Sequence, residues 1–277
     1  MNKSIREVAI GKIKLRLVDT GKGYVGLLFS DGKQRWRIDG DDAAEVWAEL
    51  KASSGKANSA YFGFEGALAR FKKFFPDGFR SVAFEGDDRG TFGERNYKLK
   101  AKTKLDATAP LDLALTGNGY GEAVLSAYRA TNLLSPFEKT RLDPLLRGPH
   151  ADEFIQSAAR FAIGDVSSAL ASMERVLSRY DSAKWTVVTY LPFLWRPREH
   201  MFLKPIVTQD FAARVGHQFV YDYRSALDPE VYTSLLDLMV NANAALTDLK
   251  PRDNIDLQSF VWVVGDYKEG DEPSKAA

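Results

Sequence analysis

The sequence predicts an α+β fold: a small N-terminal antiparallel sheet with a helix, followed by a mostly α-helical body. Three observations carry that prediction. Residues 10–18 alternate apolar and polar side chains, the period of a half-buried strand. Asp31-Gly32 sits between two short strand-like runs, and a type I′ hairpin turn needs positive φ at both central positions. From about residue 111 onward, apolar residues recur at helical spacing behind capping signals. The chain has 277 residues, 45% of them hydrophobic, which suffices for a sizeable core.

The N-terminal elements follow in order. Ile13, Leu15 and Leu17 point to one side of the first strand; Lys12, Lys14 and Arg16 point to the other. Thr20-Gly21-Lys22-Gly23 is a turn, and residues 24–29 form a second strand. Residues 34–38 form a third, with Trp36 and Ile38 opposite Arg35 and Arg37. Asp39-Gly40-Asp41-Asp42 offers N-capping carboxylates to a helix over 42–52. Ala43, Val46, Trp47 and Leu50 of that helix should cover the sheet face holding Ile13, Leu15, Leu17, Trp36 and Ile38. The free face would then carry Lys12, Lys14, Arg16, Arg35 and Arg37.

That layout, over about residues 8–50, resembles AP2-like DNA-binding domains and the arm-binding domains of tyrosine recombinases. The resemblance is one of layout and not of sequence motif. It implies a sheet that enters the DNA major groove through its basic face. Gly21-Lys22-Gly23-Tyr24-Val25-Gly26 fits G-x-G-x-x-G, but a strand follows it instead of the helix a dinucleotide site requires.

Residues 53–110 are basic and aromatic. A linker over 52–60 leads into a helix over 65–75, whose apolar face is Ala67, Leu68, Phe71 and Phe75, with Arg70, Lys72 and Lys73 off it. Pro76-Asp77-Gly78 ends that helix, and residues 85–93 are rich in Gly and Asp. Tyr97, Ala101 and Leu105 favour a helix over 94–105 that carries Arg95, Lys98, Lys100, Lys102 and Lys104, although the lysine alternation also suits a strand. Aromatics interleaved with cations are the composition of a single-strand binder; Phe in such a run is also ordinary core material.

The helical domain spans 111–267. Residues 121–132 have helical spacing, and Ser135-Pro136-Phe137-Glu138 is a capping box with Pro at the first helical position. Residues 151–163 and 165–180 read as two helices parted by Gly164, and 184–195 as a buried apolar segment. Further helices are expected over 208–219, 228–249 and 256–264, with a disordered tail over 268–277. With 1–52 as sheet plus helix and 53–110 as the basic segment, this completes the expected domain order.

Composition narrows the chemistry. The absence of cysteine excludes disulfides, thiol nucleophiles and thiolate metal sites, and three histidines leave little for a histidine-rich one. No run reaches the ~18 apolar residues of a membrane span, and the N-terminus lacks the apolar stretch of a signal peptide. A cytoplasmic protein of bacterial or phage type, without membrane contact, is expected. No P-loop, G-x-S-x-G or H-E-x-x-H occurs, so no metal and no cofactor is expected. The net charge of +1 hides an asymmetry: residues 1–105 hold 21 Lys and Arg against 14 Asp and Glu, residues 106–277 hold 17 against 23. A basic half points to an anionic partner.

The leading expectation is therefore a non-enzymatic nucleic-acid-binding protein, with DNA favoured. Its contacts would be Lys12, Lys14, Arg16, Arg35 and Arg37 on the sheet, extended by Arg70, Lys72, Lys73, Arg95, Lys98 and Lys102. The helical body would serve assembly, as a homo-oligomer or with a protein partner. Arg196, Arg198, His200 and Lys204, in a proline-bearing loop, form a candidate phosphate site. Two alternatives stand beside it. A helical interaction or regulatory subunit would expose an apolar patch near Trp195 or Trp262. A metal-dependent nuclease or related phosphate-transfer enzyme would bring Asp253, Asp256, Glu199 and His200 together, although Asp253 or Asp256 also suits the cap of the last helix.

Overall fold

The computed structural model describes residues 3–10, 13–30, 32–57, 62–86 and 93–267. Lys12, Asp31 of the hairpin turn, residues 58–61 of the linker region, residues 87–92 and the 268–277 tail lie outside the described residues. The architecture is α+β, an N-terminal antiparallel sheet followed by a mostly helical body.

The sheet has four strands, one more than the sequence predicts. They are β1 (Lys3–Ile10), β2 (Ile13–Asp19), β3 (Tyr24–Ser30) and β4 (Lys33–Gly40), each antiparallel to the next, in the order β1-β2-β3-β4. The predicted first strand divides: Ile10 closes β1 and pairs with Ile13, which opens β2. Strand β1 escapes sequence reading because most of it is exposed and charged residues interrupt its alternation. Pairing with β2 gives it its structure, and Val8 packs on the core below.

Helix α1 (Ala43–Ala57) starts where Asp42 accepts hydrogen bonds from the Ala44 and Glu45 N–H groups at 2.8 and 2.9 Å. It runs five residues past its predicted end, into the expected linker. Val46, Trp47 and Leu50 meet Ile13, Leu15, Leu17, Leu28 and Ile38 in one core. Gly26 lets the helix lie close: a Cβ there would stand 3.1 Å from Val46 Cγ1 and 3.3 Å from Leu50 Cδ2. Trp36 departs from expectation at 46% exposed, because the edge strand leaves one flank of its indole in solvent.

The remaining helices are α2 (Gly63–Phe74), α3 (Val82–Glu85), α4 (Asn96–Thr108), α5 (Leu111–Ala114), α6 (Gly121–Arg129), α7 (Pro136–Leu146), α8 (Ala151–Ala162), α9 (Val166–Leu177), α10 (Trp185–Val188), α11 (Tyr190–Trp195), α12 (Pro205–Val215), α13 (Phe219–Asp222), α14 (Pro229–Ala245) and α15 (Asn254–Asp266). The capping box forms as predicted, with Ser135 and Glu138 bonded reciprocally at the start of α7. The apolar run before Trp195 folds as α10 and α11, both buried throughout, with α11 packed on α4 and α8. No helix among the described residues is long and apolar enough to cross a membrane.

The chain divides into two compact units: residues 1–69 with 209–223, and residues 70–208 with 224–277. The expected boundary between residues 110 and 111, and the charge split at 105, both fall inside the second unit. The charge asymmetry dissolves with it. The first unit holds 12 Lys and Arg against 11 Asp and Glu, and the second balances.

Candidate nucleic-acid interface

Alternation along the strands decides which side chains share the open face of the sheet. Arg16 on β2 pairs with Glu7 on β1 and Leu27 on β3, and Leu27 pairs with Arg37 on β4. In a neighbouring row Lys14 pairs with Ala9 and Phe29, and Phe29 with Gln34. Lys14, Arg16 and Arg37 therefore share one face, as the sequence predicts. The β3–β4 register then slips: Leu28 pairs with Trp36 but Phe29 with Gln34. Arg35 is the extra residue of a β-bulge, which breaks strict alternation at its position.

The face is mixed in character. Val18, Val25 and Leu27 form an apolar floor beneath Arg16, Gln34 and Arg37, in a shallow depression of about 360 Å³. The Arg16 guanidinium stands 5.8 Å from the Phe29 ring centroid. Each described cation of this face has an acidic neighbour that the three-strand reading lacks or places elsewhere. Glu7 of β1 holds Lys14 at 2.5 Å and Arg16 at 2.7 Å, and these bonds lower its pKa. Asp39 holds Arg37 at 2.6 Å, which lowers the pKa of Asp39. These pairs are open to solvent on at least one side, so water screens them and leaves them open to exchange.

The second set of predicted contacts divides. Lys72 and Lys73 are exposed on α2. Arg70 is half-buried and donates to the Tyr267 carbonyl. Lys102 bonds Asp106 at 2.8 Å and the Trp195 carbonyl at 3.2 Å. Arg95 and Lys98 are corrections, since both are buried and turn inward. Arg95 donates to Asp253 and Asp256 at 2.7 Å, bonds that keep its pKa raised against the opposing effect of burial. Lys98 is 0% exposed, with Nζ 2.6 Å from Ser259 Oγ and 3.5 Å from Glu94 Oε2. A side chain closed into the core cannot meet a phosphate. Four of the aromatics between 61 and 97 are core, Phe71, Phe75, Phe79 and Phe84 being fully buried with Phe71 5.2 Å from Phe260, whereas Phe62 is exposed and Tyr61 and Phe92 lie outside the described residues.

The phosphate-site candidates do not converge. Arg196 pairs with Glu199 and donates to the Ala162 carbonyl. Arg198 is exposed and lines an open groove with Arg252 and Asn254. His200 is buried: Nε2–H donates to the Ala162 carbonyl at 3.0 Å and Nδ1 accepts from the Tyr232 hydroxyl at 3.1 Å. Burial lowers its pKa, which keeps it neutral. Lys204 lies 4.0 Å from the Trp262 ring centroid and lines a different pocket from Arg198.

The metal-site reading meets the same obstacle. Asp253 caps α15 and is held by Arg95; Asp256 is 0% exposed and held by both Arg95 and Arg252. Among the described residues no group of three or more His, Asp and Glu is placed to hold a metal ion. Of the two tryptophans around which an apolar patch is expected, Trp195 is buried, and Trp262 is half-buried with Lys204 over its ring.

No protein-family profile, curated protein or solved structure matches the chain.

Proposed function

We propose that this protein is a non-enzymatic nucleic-acid-binding protein that uses the open face and β4 edge of its N-terminal sheet. One observation supports this most: Lys14, Arg16 and Arg37 share a face over an apolar floor, with Arg35 beside them on β4, while the exposed Trp36 stands at the β4 edge on the opposite, helix-covered side. Arginines supply bidentate donors to phosphate, and an exposed indole can stack on a base. A phosphate chain would compete with Glu7 and Asp39 for cations whose present pairs are weak.

The reading predicts salt-sensitive binding. Four phosphate contacts, one each for Lys14, Arg16, Arg35 and Arg37, correspond to roughly a hundredfold loss of affinity between about 50 and about 200 mM salt. Fluorescence anisotropy with labelled duplex DNA, single-stranded DNA and RNA tests it. The double variant Arg35→Ala, Arg37→Ala should weaken binding and flatten the salt slope by about two contacts. Failure of all three probes to bind at low salt overturns the proposal.

A further inference from the structure

The second unit contains a cavity of about 160 Å³. Tyr97, Leu133 and Trp262 supply its apolar wall; Glu94, Asn132, Lys204 and Gln258 supply its polar groups. Lys204 is half-buried, and its ammonium lies over the ring of Trp262, 4.0 Å from the centroid, so Nζ stands against the cavity wall. Nζ makes no hydrogen bond and no ion pair among the described residues, and it is open to water. Burial lowers the Lys204 pKa, and Asp266 and Glu138 oppose this only from a distance. A half-buried ammonium without a close acceptor carries a desolvation cost, which an anionic ligand offsets.

The rest of the lining restricts that anion. Glu94 is already engaged: its Oε1 accepts from the Tyr267 hydroxyl at 3.0 Å, and its Oε2 stands 3.5 Å from Nζ of Lys98, which is outside the lining. The Glu94–Lys98 pair is neutral overall, so Lys204 is the uncompensated charge of the wall. One negative charge matches it; a second would meet Glu94, Glu138 and Asp266. The Asn132 amide and the Trp262 indole make no side-chain hydrogen bond among the described residues, so both keep N–H donors for the second oxygen of a carboxylate. The Gln258 oxygen is closed off and takes no part. The volume sets the remainder of the ligand, since a cavity of about 150 Å³ holds one benzene molecule.

We propose that this cavity binds a small organic monocarboxylate, its carboxylate on Lys204 Nζ and its apolar body, about the size of one six-membered ring, against Tyr97 and Leu133. The inference rests on the second unit alone and stands apart from the reading of the sheet.

Isothermal titration of the full chain with benzoate, benzamide, acetate and inorganic phosphate tests it. Benzamide keeps the ring and loses the charge; acetate and phosphate keep the charge and lose the ring. Saturable one-to-one binding of benzoate is expected, at least about tenfold tighter than that of the other three. Lys204→Met should bring benzoate down to the level of benzamide without lowering the melting temperature, because it removes a half-buried charge that has no close partner. Lys204→Arg should retain the preference for benzoate. If Lys204→Met fails to fold, the comparison of benzoate with benzamide on the unaltered chain decides alone. No binding of benzoate at millimolar concentration overturns the inference. So does equal binding of benzoate and benzamide, or unchanged binding by Lys204→Met. Acetate or phosphate binding as tightly as benzoate also overturns it, because the site would then recognise charge without an apolar body.

Discussion

Replacing Lys98 by methionine tests whether a charge is held in the core at a cost to stability. The side chain is fully buried on α4, and burial is the dominant influence on it; attraction to Glu94 only partly opposes this, leaving the pKa lowered from 10.5 to about 8. At pH 7 the lysine is protonated in both folded and unfolded chains. The shift then corresponds to roughly 3 kcal/mol of destabilisation, at 1.36 kcal/mol per pKa unit. Between pH 8 and 10.5 the unfolded chain still holds a proton that the folded chain has released. Stability therefore rises with pH across that window, and the penalty is gone above it. Methionine carries no proton and shows no such rise. The stability of the variant minus that of the wild type should fall by roughly 2–3 kcal/mol from pH 7 to pH 10. At pH 7 the variant should lie within about 2 kcal/mol of wild type, short of the ~3–5 kcal/mol usual for breaking a buried pair. Ser259 keeps its bond to the Ile255 carbonyl at 3.1 Å, so no new unpaired hydroxyl enters the comparison. Urea unfolding followed by circular dichroism at several pH values measures the difference. A pH-independent difference would refute the reasoning, because Lys98 would then titrate alike in both states.

Three further outcomes are expected. Phe71→Ala should cost about 3–5 kcal/mol in urea unfolding, since the ring is fully buried among Phe75, Phe79, Phe84 and Phe260; a loss under 1 kcal/mol would deny its place at the centre of that cluster. His200 is held neutral by burial, so the unfolded chain takes up its proton first as pH falls. Stability should drop below about pH 6.5 by up to ~1.4 kcal/mol per pH unit from this group, a slope that His200→Asn should reduce. Ser135→Ala should cost about 0.5–2 kcal/mol by removing the acceptor for the Glu138 N–H at the start of α7; an unchanged melting temperature would show that Glu138 alone sustains the cap.

Much of the fold is legible in local pattern. The alternation of Ile13, Leu15 and Leu17, the Ser135–Glu138 box and the Asp253 cap each depend on neighbours within a few residues, and each forms as the sequence predicts. Strand β1 is not legible, because nothing in its own residues marks a buried face; its partner β2 confers the structure. The candidate interface is partly legible. Period two places Lys14, Arg16 and Arg37 together, but the bulge at Arg35 and the ion pairs with Glu7 and Asp39 depend on register between strands.

The sequence by itself determined the α+β class, most helix positions and the choice of apolar faces, because these follow from short-range periodicity and capping. Only the tertiary structure decided which charges face water. Arg95 and Lys98 look like surface cations beside Lys100 and Lys102, yet they close on Asp253, Asp256, Ser259 and Glu94. Their principal partners, Asp253, Asp256 and Ser259, lie more than 150 residues away, and a burial cost is offset only where such partners meet.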